Sequence, residues 1–393
     1  MLKRGVLCLG VLLFLSFGIE AAPLNRTVDF TDFDVYQRAF NHKEIGQKIQ
    51  RYLEKDPQIR KYYRLTEKAL YIGDLSLDQR DYVLYFGQKE KNSTPTERKR
   101  LGLQGRKIAI DPGHFGGIYA KLEKRFVRIS DPQEEEESSS SLDEGTLSYL
   151  TALELKRLLE EAGATVLITR SAIGEGVIQK PFFSWLQERP ELWSSDHSLS
   201  KLFLLYYNRE DLYLRAEKIN AFNPDVTVVI HYNTHLTEEE KTLKSLVTQL
   251  NYNLAFIPGA FGAGELDKAA DRYEFLRLLL TQHLEESEKL SQYLVHQFAE
   301  QLKVPLIETE EKDVDFEKAC FKQSKGIYSR NLALTRLIHS PLCYGETLIQ
   351  NNPEEFHRLN RKDIAIEGIP CSSRIQEVSK AYFKGLQDYF HSS

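Results

Sequence analysis

Between residues 106 and 348 the chain alternates two kinds of segment, and this alternation restricts the fold more than any other feature. Short runs rich in β-branched and aliphatic residues fall at 107–110, 164–169, 225–230, 253–257 and 342–348. Between them lie stretches whose apolar residues recur at helical spacing, at 147–162, 212–222 and 287–302. The first of these halts at Gly163, a residue that ends helices because it enters the left-handed conformation without steric cost. Successive parallel strands need crossovers long enough to hold a helix. The series therefore predicts an α/β domain with a largely parallel sheet flanked by helices.

A small α+β segment precedes it at 24–100. Helical spacing over 44–65 puts Ile45, Ile49, Tyr52 and Leu53 on one side, with Pro57 as an interruption. Residues 69–72 and 81–86 read as a strand pair around the turn GDLSLD. The polar stretch KEKNSTPTERKR at 89–100 reads as a linker to the main domain at 105–390. Two insertions interrupt that domain. DPQEEEESSSSLD at 131–143 reads as a solvated acidic loop. Residues 171–210 carry PFFSWL, ELW and LFLLYY, and so many aromatics predict an ordered flap or extra helices.

With 41% hydrophobic and 28% charged residues the chain can build a full core. A net charge of −5 gives no basic field for nucleic acid. At the N-terminus, Lys3 and Arg4 precede the apolar run GVLCLGVLLFLSFGI and then Glu20-Ala21-Ala22, the order of a secretory signal over 1–22. The expectation is an exported protein, periplasmic or extracellular. Cys8 follows Leu7, not a small residue, which argues against a lipoprotein. Cys320, Cys343 and Cys371 are too few and too far apart for a disulfide framework and allow one bridge at most.

Sites in open α/β sheets form at the carboxyl ends of the strands. There this sequence places His114 in IAIDPGHFGG, His231 after VVI, and Glu346 in PLCYGETL, with Glu144 at the mouth of the 147–162 helix. Two imidazoles and a carboxylate fill three positions of a tetrahedral Zn2+ and leave one for water; a second carboxylate can take the water's proton. Each residue alone has an ordinary reading: a turn histidine, a satisfied strand histidine, a helix N-terminal charge and a rim carboxylate. Their convergence at one end of the sheet is what points to chemistry. Tyr232 and Asn233, next to His231, are candidates to orient it or to contact substrate.

IAIDPGHFGG resembles the opening motif of the zinc-dependent N-acetylmuramoyl-L-alanine amidases, the type-3 group of peptidoglycan amidases. EGTLSYLTALELKRLLEEAGATVLITR, YLRAEKINAFNPDVTVVIHYNTH and NLALTRLIHSPLCYGETLIQNNPEEFHRL resemble later blocks of that family in the same order. The resemblance spans roughly residues 105–390. It implies His114, Glu144 and His231 as zinc ligands and Glu346 as general base. It also implies peptidoglycan or muropeptides as substrate, cut between the lactyl group of N-acetylmuramic acid and L-alanine. No activator protein can be named.

The sequence departs from the family pattern in three places. The His114–Glu144 gap is lengthened by the acidic insertion, so Glu123 competes as the ligand carboxylate; the helix and strand behind Glu144 keep the family register and favour it. Tyr232 stands where the family has a small residue and predicts a narrower cleft. His235 is an extra imidazole, a loop residue or a substrate contact. Because some family members are held inactive by a segment over the cleft, Glu134 to Glu137 are candidates to cap the metal. The alternatives are a zinc carboxypeptidase or other acyl-amino-acid amidohydrolase, and an inactive wall-binding protein on an amidase scaffold. Retention of all four chemistry-bearing side chains speaks against the last.

Overall fold

The computed structural model describes residues 27–87, 102–129, 141–193, 197–235, 247–308 and 314–392. The signal-like segment 1–22, the linker 89–100 and the acidic run Glu134 to Glu137 lie outside them.

The N-terminal segment is α+β, but not as one long helix. A capping box between Asn41 and Glu44 starts the helix His42–Lys48, which passes into a wide turn at Ile49–Leu53. Asp56 is extended (φ −120°, ψ 124°), as a residue before proline is pushed to be, and Pro57 opens a new short turn, Pro57–Lys61. The end of the expected helix is instead a strand, β1 (Tyr63–Leu65), which pairs antiparallel with β2 (Ala69–Ile72). β2 pairs with β3 (Tyr82–Tyr85) as the sequence predicts, Ala69 opposite Tyr85. Ile45, Ile49, Tyr52 and Leu53 are buried together despite the break.

The main domain is built on β4 (Lys107–Pro112), a hairpin of β5 (Phe126–Arg128) and β6 (Ser141–Asp143), then β7 (Thr165–Ile168), β8 (Val226–Asn233), β9 (Leu254–Ile257), β10 (Cys320–Ser324), β11 (Ile327–Arg330) and β12 (Leu342–Ile349). The end of the acidic insertion is thus the strand β6. Seven strands form one sheet in the order β10-β11-β9-β12-β8-β4-β7. Pairings β4/β7, β4/β8, β8/β12 and β9/β11 are parallel, whereas β9/β12 and β10/β11 are antiparallel. The sheet is largely parallel, and β9 marks the point where direction reverses.

Strand parity divides the core. Ile108, Ile110, Val228 and Ile230 face the helices Glu144–Glu161, His283–Leu302 and Ser373–Ser392. Ala109 and Val229 face the helices Asn208–Phe222 and Ala333–Leu337 through Ala216, Ile219, Leu334 and Leu337. The 171–210 insertion folds into the short helices Phe182–Gln187, Pro190–Trp193 and Leu199–Leu202 and the turn Phe203–Tyr207. Its aromatics bury Phe115 from above, with ring centres 5.2 Å away for Phe203 and 5.5 Å for Tyr207. The insertion therefore supports the loop that carries His114.

The N-terminal segment joins the same core. The carbonyls of Tyr52 and Leu53 accept the N–H groups of Ala260 and Phe261, each at 2.7 Å. Tyr52 also donates its hydroxyl to Glu288 at 2.6 Å. Cys320, Cys343 and Cys371 are free and buried, so no bridge forms among the described residues.

Candidate metal centre

β4, β8 and β12 lie side by side and run in the same direction. Glu346 on β12 is the register partner of His231 on β8, so both side chains leave the same face of the sheet. Sequence reasoning puts His231 just beyond the strand at 225–230 and Glu346 inside the run at 342–348. The structure puts His231 inside β8 as well, because pairing continues to Asn233, while Glu346 lies within β12 as that run predicts.

Only His114 lies past its strand. Gly113 donates its N–H to Ile230 O at 2.9 Å, and His114 then adopts φ +57°, turning the imidazole back toward β8. A Cβ on Gly113 would stand 2.2 Å from the His231 ring, so this position admits only glycine. Glu144 is the first residue of its helix. The helix is capped by Asp143, whose Oδ1 accepts the N–H of Thr146 at 2.8 Å and of Gly117 at 3.3 Å. The loops that carry His114 and Glu144 cross so closely that a Cβ on Gly145 would meet Gly116 N at 2.2 Å. Arg170, just past β7, locks the crossing. Its guanidinium donates to the carbonyls of Pro112 (3.0 Å), Phe115 (2.9 Å), Gly113 (3.1 Å) and Gly145 (3.1 Å).

The result is a buried cluster. His231 Nδ1 lies 2.8 Å from Glu144 Oε1, and His114 Nε2 lies 3.2 Å from Glu144 Oε2. One ligand atom from each of the three residues falls within 4.8 Å of the others. Glu123 approaches His114 from the opposite side: its Oε1 is 3.3 Å from Nδ1, and its Oε2 accepts the N–H groups of Phe115 (2.8 Å) and Gly116 (3.3 Å). Both competing carboxylates therefore engage His114, on different nitrogens, and Glu144 is the one shared with His231. A carboxylate behind a ligating imidazole fixes its tautomer and orientation. Tyr344 stacks on His231 at 4.4 Å and 13°.

Electrostatics separate these groups. Burial opposes charge on His114, but Glu144 and Glu123 overcome it and lift the ring to about 8. Burial outweighs Glu144 at His231 and lowers it to about 4. For Glu144 burial is overcome by the two imidazoles, which hold it well below the usual carboxylate range. Burial, then the charge of Glu144, pushes Glu346 up to about 8, while Arg125 and Arg330 pull against the rise. Paired carboxyls driven apart in this way mark sites of acid–base chemistry.

The cluster opens into a cleft of about 440 Å³ whose wall includes Asn233, Arg125, Arg209 and Arg330. Tyr232 does not narrow it. Strand alternation sends that ring to the opposite face, where it is buried and its hydroxyl pairs with Thr151 Oγ1 at 2.7 Å. Its contribution to the site is a backbone N–H to Glu144 at 3.3 Å. His235 pairs with the Tyr252 hydroxyl at 2.6 Å and is not part of the cleft wall. Arg125, Arg170 and Tyr344 escape sequence reasoning. Arg170 was findable, since it follows a strand of the sheet just as His114 does.

Two nitrogen donors, two carboxylates of different basicity and an open cleft form an arrangement that can hold a metal ion beside a group able to carry a proton. Over residues 108–368, about two thirds of its length, the chain matches the family described as N-acetylmuramoyl-L-alanine amidase. The chain belongs to that family, and its enzyme activity is hydrolysis of the amide between N-acetylmuramic acid and L-alanine in peptidoglycan. No curated protein sequence matches it. Solved structures that resemble it include the CwlD amidase of Clostridioides difficile in complex with the GerS lipoprotein, with 16% identity, a TM-score of 0.42, and coverage of 74% of this chain and 100% of that one. The amidase Ami1 of Mycobacterium abscessus aligns with 15% identity and a TM-score of 0.40 over 73% of this chain and 99% of that one. The catalytic domain of CwlV from Bacillus (Paenibacillus) polymyxa var. colistinus aligns with 13% identity and a TM-score of 0.37 over 72% of this chain and 97% of that one.

Proposed function

We propose that this chain is an exported, zinc-dependent peptidoglycan amidase in which His114, Glu144 and His231 hold the metal and Glu346 carries the proton. The observation behind this reading is the convergence of two imidazoles and a carboxylate within 4.8 Å, beside a second buried carboxylate. The donor set fits zinc: three protein ligands of N, N and O type leave a position for water. A divalent cation also compensates the negative charge that Glu144 and Glu346 bring to one buried cleft. When bound, zinc supplies Lewis-acid polarisation of the scissile carbonyl and lowers the pKa of water towards about 7.

The chain's own groups do the rest. Glu346 accepts the proton of the attacking water and returns it to the departing amine of L-alanine. A carboxyl whose affinity for protons is raised by burial holds that proton between the two steps. Glu123 keeps His114 Nε2 turned to the site, and the Tyr344 ring holds His231 in place. Arg125, with Nη1 4.0 Å from Glu144, adds positive charge to the wall where the substrate oxygen gains negative charge. Asn233 contacts the substrate from the cleft wall.

The test is digestion of purified muropeptides with and without a chelator. Free peptide beginning with L-alanine, lost on chelation and restored by zinc, is the expected outcome; release of terminal D-alanine in its place would overturn the reading. Export rests on the charged, apolar and small-residue order of residues 3–22. An intact N-terminus on protein held in the cytoplasm would refute it.

A further inference from the structure

The cleft wall holds five arginines, and four have acidic company. Arg215 Nε is 2.6 Å from Asp211 and its Nη1 is 3.6 Å from Asp111. Arg336 is 3.3 Å from Asp271, and Arg209 acts on the same carboxylate. Arg125 has Glu144 at 4.0 Å. Arg330 differs: among the described residues no carboxylate stands at ion-pair distance from it, yet it lines the cleft that contains Glu346.

Its position is fixed by rings. Arg330 ends β11, and its guanidinium carbon lies 5.0 Å from the centre of the Phe256 ring. Phe256 meets Tyr344 at 6.1 Å, and Tyr344 stacks on His231. A stacked guanidinium loses little further freedom when it binds, and its fork matches a carboxylate with two parallel hydrogen bonds. Its charge also reaches Glu346 through the cleft.

We propose that Arg330 is a specificity-determining residue that binds a free carboxylate on the residue following alanine in the substrate's peptide, so that the cleft prefers acidic peptides to their carboxamides. This rests on the amidase reading above. Two trans peptide steps carry that residue's Cα about 7–8 Å beyond the start of the scissile amide. Arg330 is removed from His231 by two rings, with contacts of 4.4 Å from His231 to Tyr344, 6.1 Å from Tyr344 to Phe256 and 5.0 Å from Phe256 to the guanidinium, a separation that a short peptide bridges.

The experiment uses the full chain and two defined substrates, N-acetylmuramoyl-L-alanyl-D-isoglutamate and its isoglutamine carboxamide. KM is expected to be about 10–100-fold lower for the free acid, the range of one well-formed charge-assisted pair. Arg330→Gln brings the ratio of the two KM values close to one, and Arg330→Lys restores part of it, which a purely structural role would not do. Arg361→Gln, at an exposed position outside the cleft wall, keeps the ratio. Equal KM values in the unaltered protein, or full discrimination by Arg330→Gln, overturns the proposal and leaves the amidase reading standing. If neither substrate is cut, the amidase reading fails. Calorimetry with L-alanyl-D-isoglutamate and its carboxamide then decides Arg330 alone: tighter binding of the acid that Arg330→Gln abolishes supports it, and equal binding overturns it.

Discussion

Changing Glu123 to glutamine alters one atom of a residue that never faces the cleft, and it should weaken metal binding. Ionised, Glu123 only accepts hydrogen bonds, so the proton that His114 would keep with a metal bound sits on Nδ1, and Nε2, which faces Glu144, is the nitrogen left to bind. The charge is secure: burial disfavours it, but His114 and the Phe115 N–H hold the carboxyl below its usual range. In the glutamine variant the amide oxygen keeps the N–H groups of Phe115 and Gly116, 2.8 and 3.3 Å away in the parent, and the NH2 group turns to Nδ1. His114 then carries its proton on Nε2, the nitrogen that must bind. Losing such a partner costs about 10–100-fold in metal affinity, or about 1.4–2.7 kcal/mol. Competition with a chromophoric chelator measures it, with a thermal melt to confirm folding. A folded Glu123→Gln protein that binds zinc as tightly as the parent would refute the argument.

Further outcomes follow from other contacts. Glu346→Gln should lower kcat by about 10²–10⁴-fold with metal content unchanged; loss of less than tenfold, or loss of the metal, speaks against its role as proton carrier. Gly145→Ala puts a methyl 2.2 Å from Gly116 N and should cost about 1–3 kcal/mol, read as a lower Tm together with weaker metal binding; an unchanged melt means that the loops do not cross as described. At Glu274, burial is outweighed by His339 at 3.1 Å and Arg277 at 2.6 Å, which lower its carboxyl from the ordinary 4.5 to about 2. Its contribution of roughly 3 kcal/mol is therefore complete above pH 4.5 and fades as pH falls towards 2. Urea unfolding of the parent and of Glu274→Gln at pH 7 and pH 3 should show the difference between them shrinking with acid, and a constant difference would sink this account.

Much of the site could be read from sequence because strand parity and strand ends are written locally. VVI before His231 and CYG before Glu346 announce buried neighbouring strands, and these are register partners. The same parity could have shown that Tyr232, one residue on, points away from the cleft. Other features had no local signal. The four residues of β9 are apolar in either direction, so nothing in them reveals that the strand runs against β12. The position of Glu123, nine residues after His114, does not tell which imidazole nitrogen it meets. That depends on the short turn Ala120–Glu123, ended by Lys124 at φ +57°. By contrast, the interruption that Pro57 signals in the 44–65 spacing is where the structure breaks, because Asp56-Pro57 forces extended backbone.

The backbone bonds from Tyr52 and Leu53 to Ala260 and Phe261 have a consequence for the order of folding. A ribosome delivers residues 27–87 well before the stretch that completes their core. Until residue 261 and the helix bearing Glu288 have emerged, Tyr52 has neither its backbone partner nor its hydroxyl partner. The first segment made waits for contacts more than two hundred residues downstream to complete the packing around Tyr52 and Leu53. Such distant closure is slow and leaves apolar surface open to the wrong partners. The N-terminal lobe is therefore completed only after the stretch at 260–261 and the helix bearing Glu288 have been made, and it closes together with the main domain and not ahead of it.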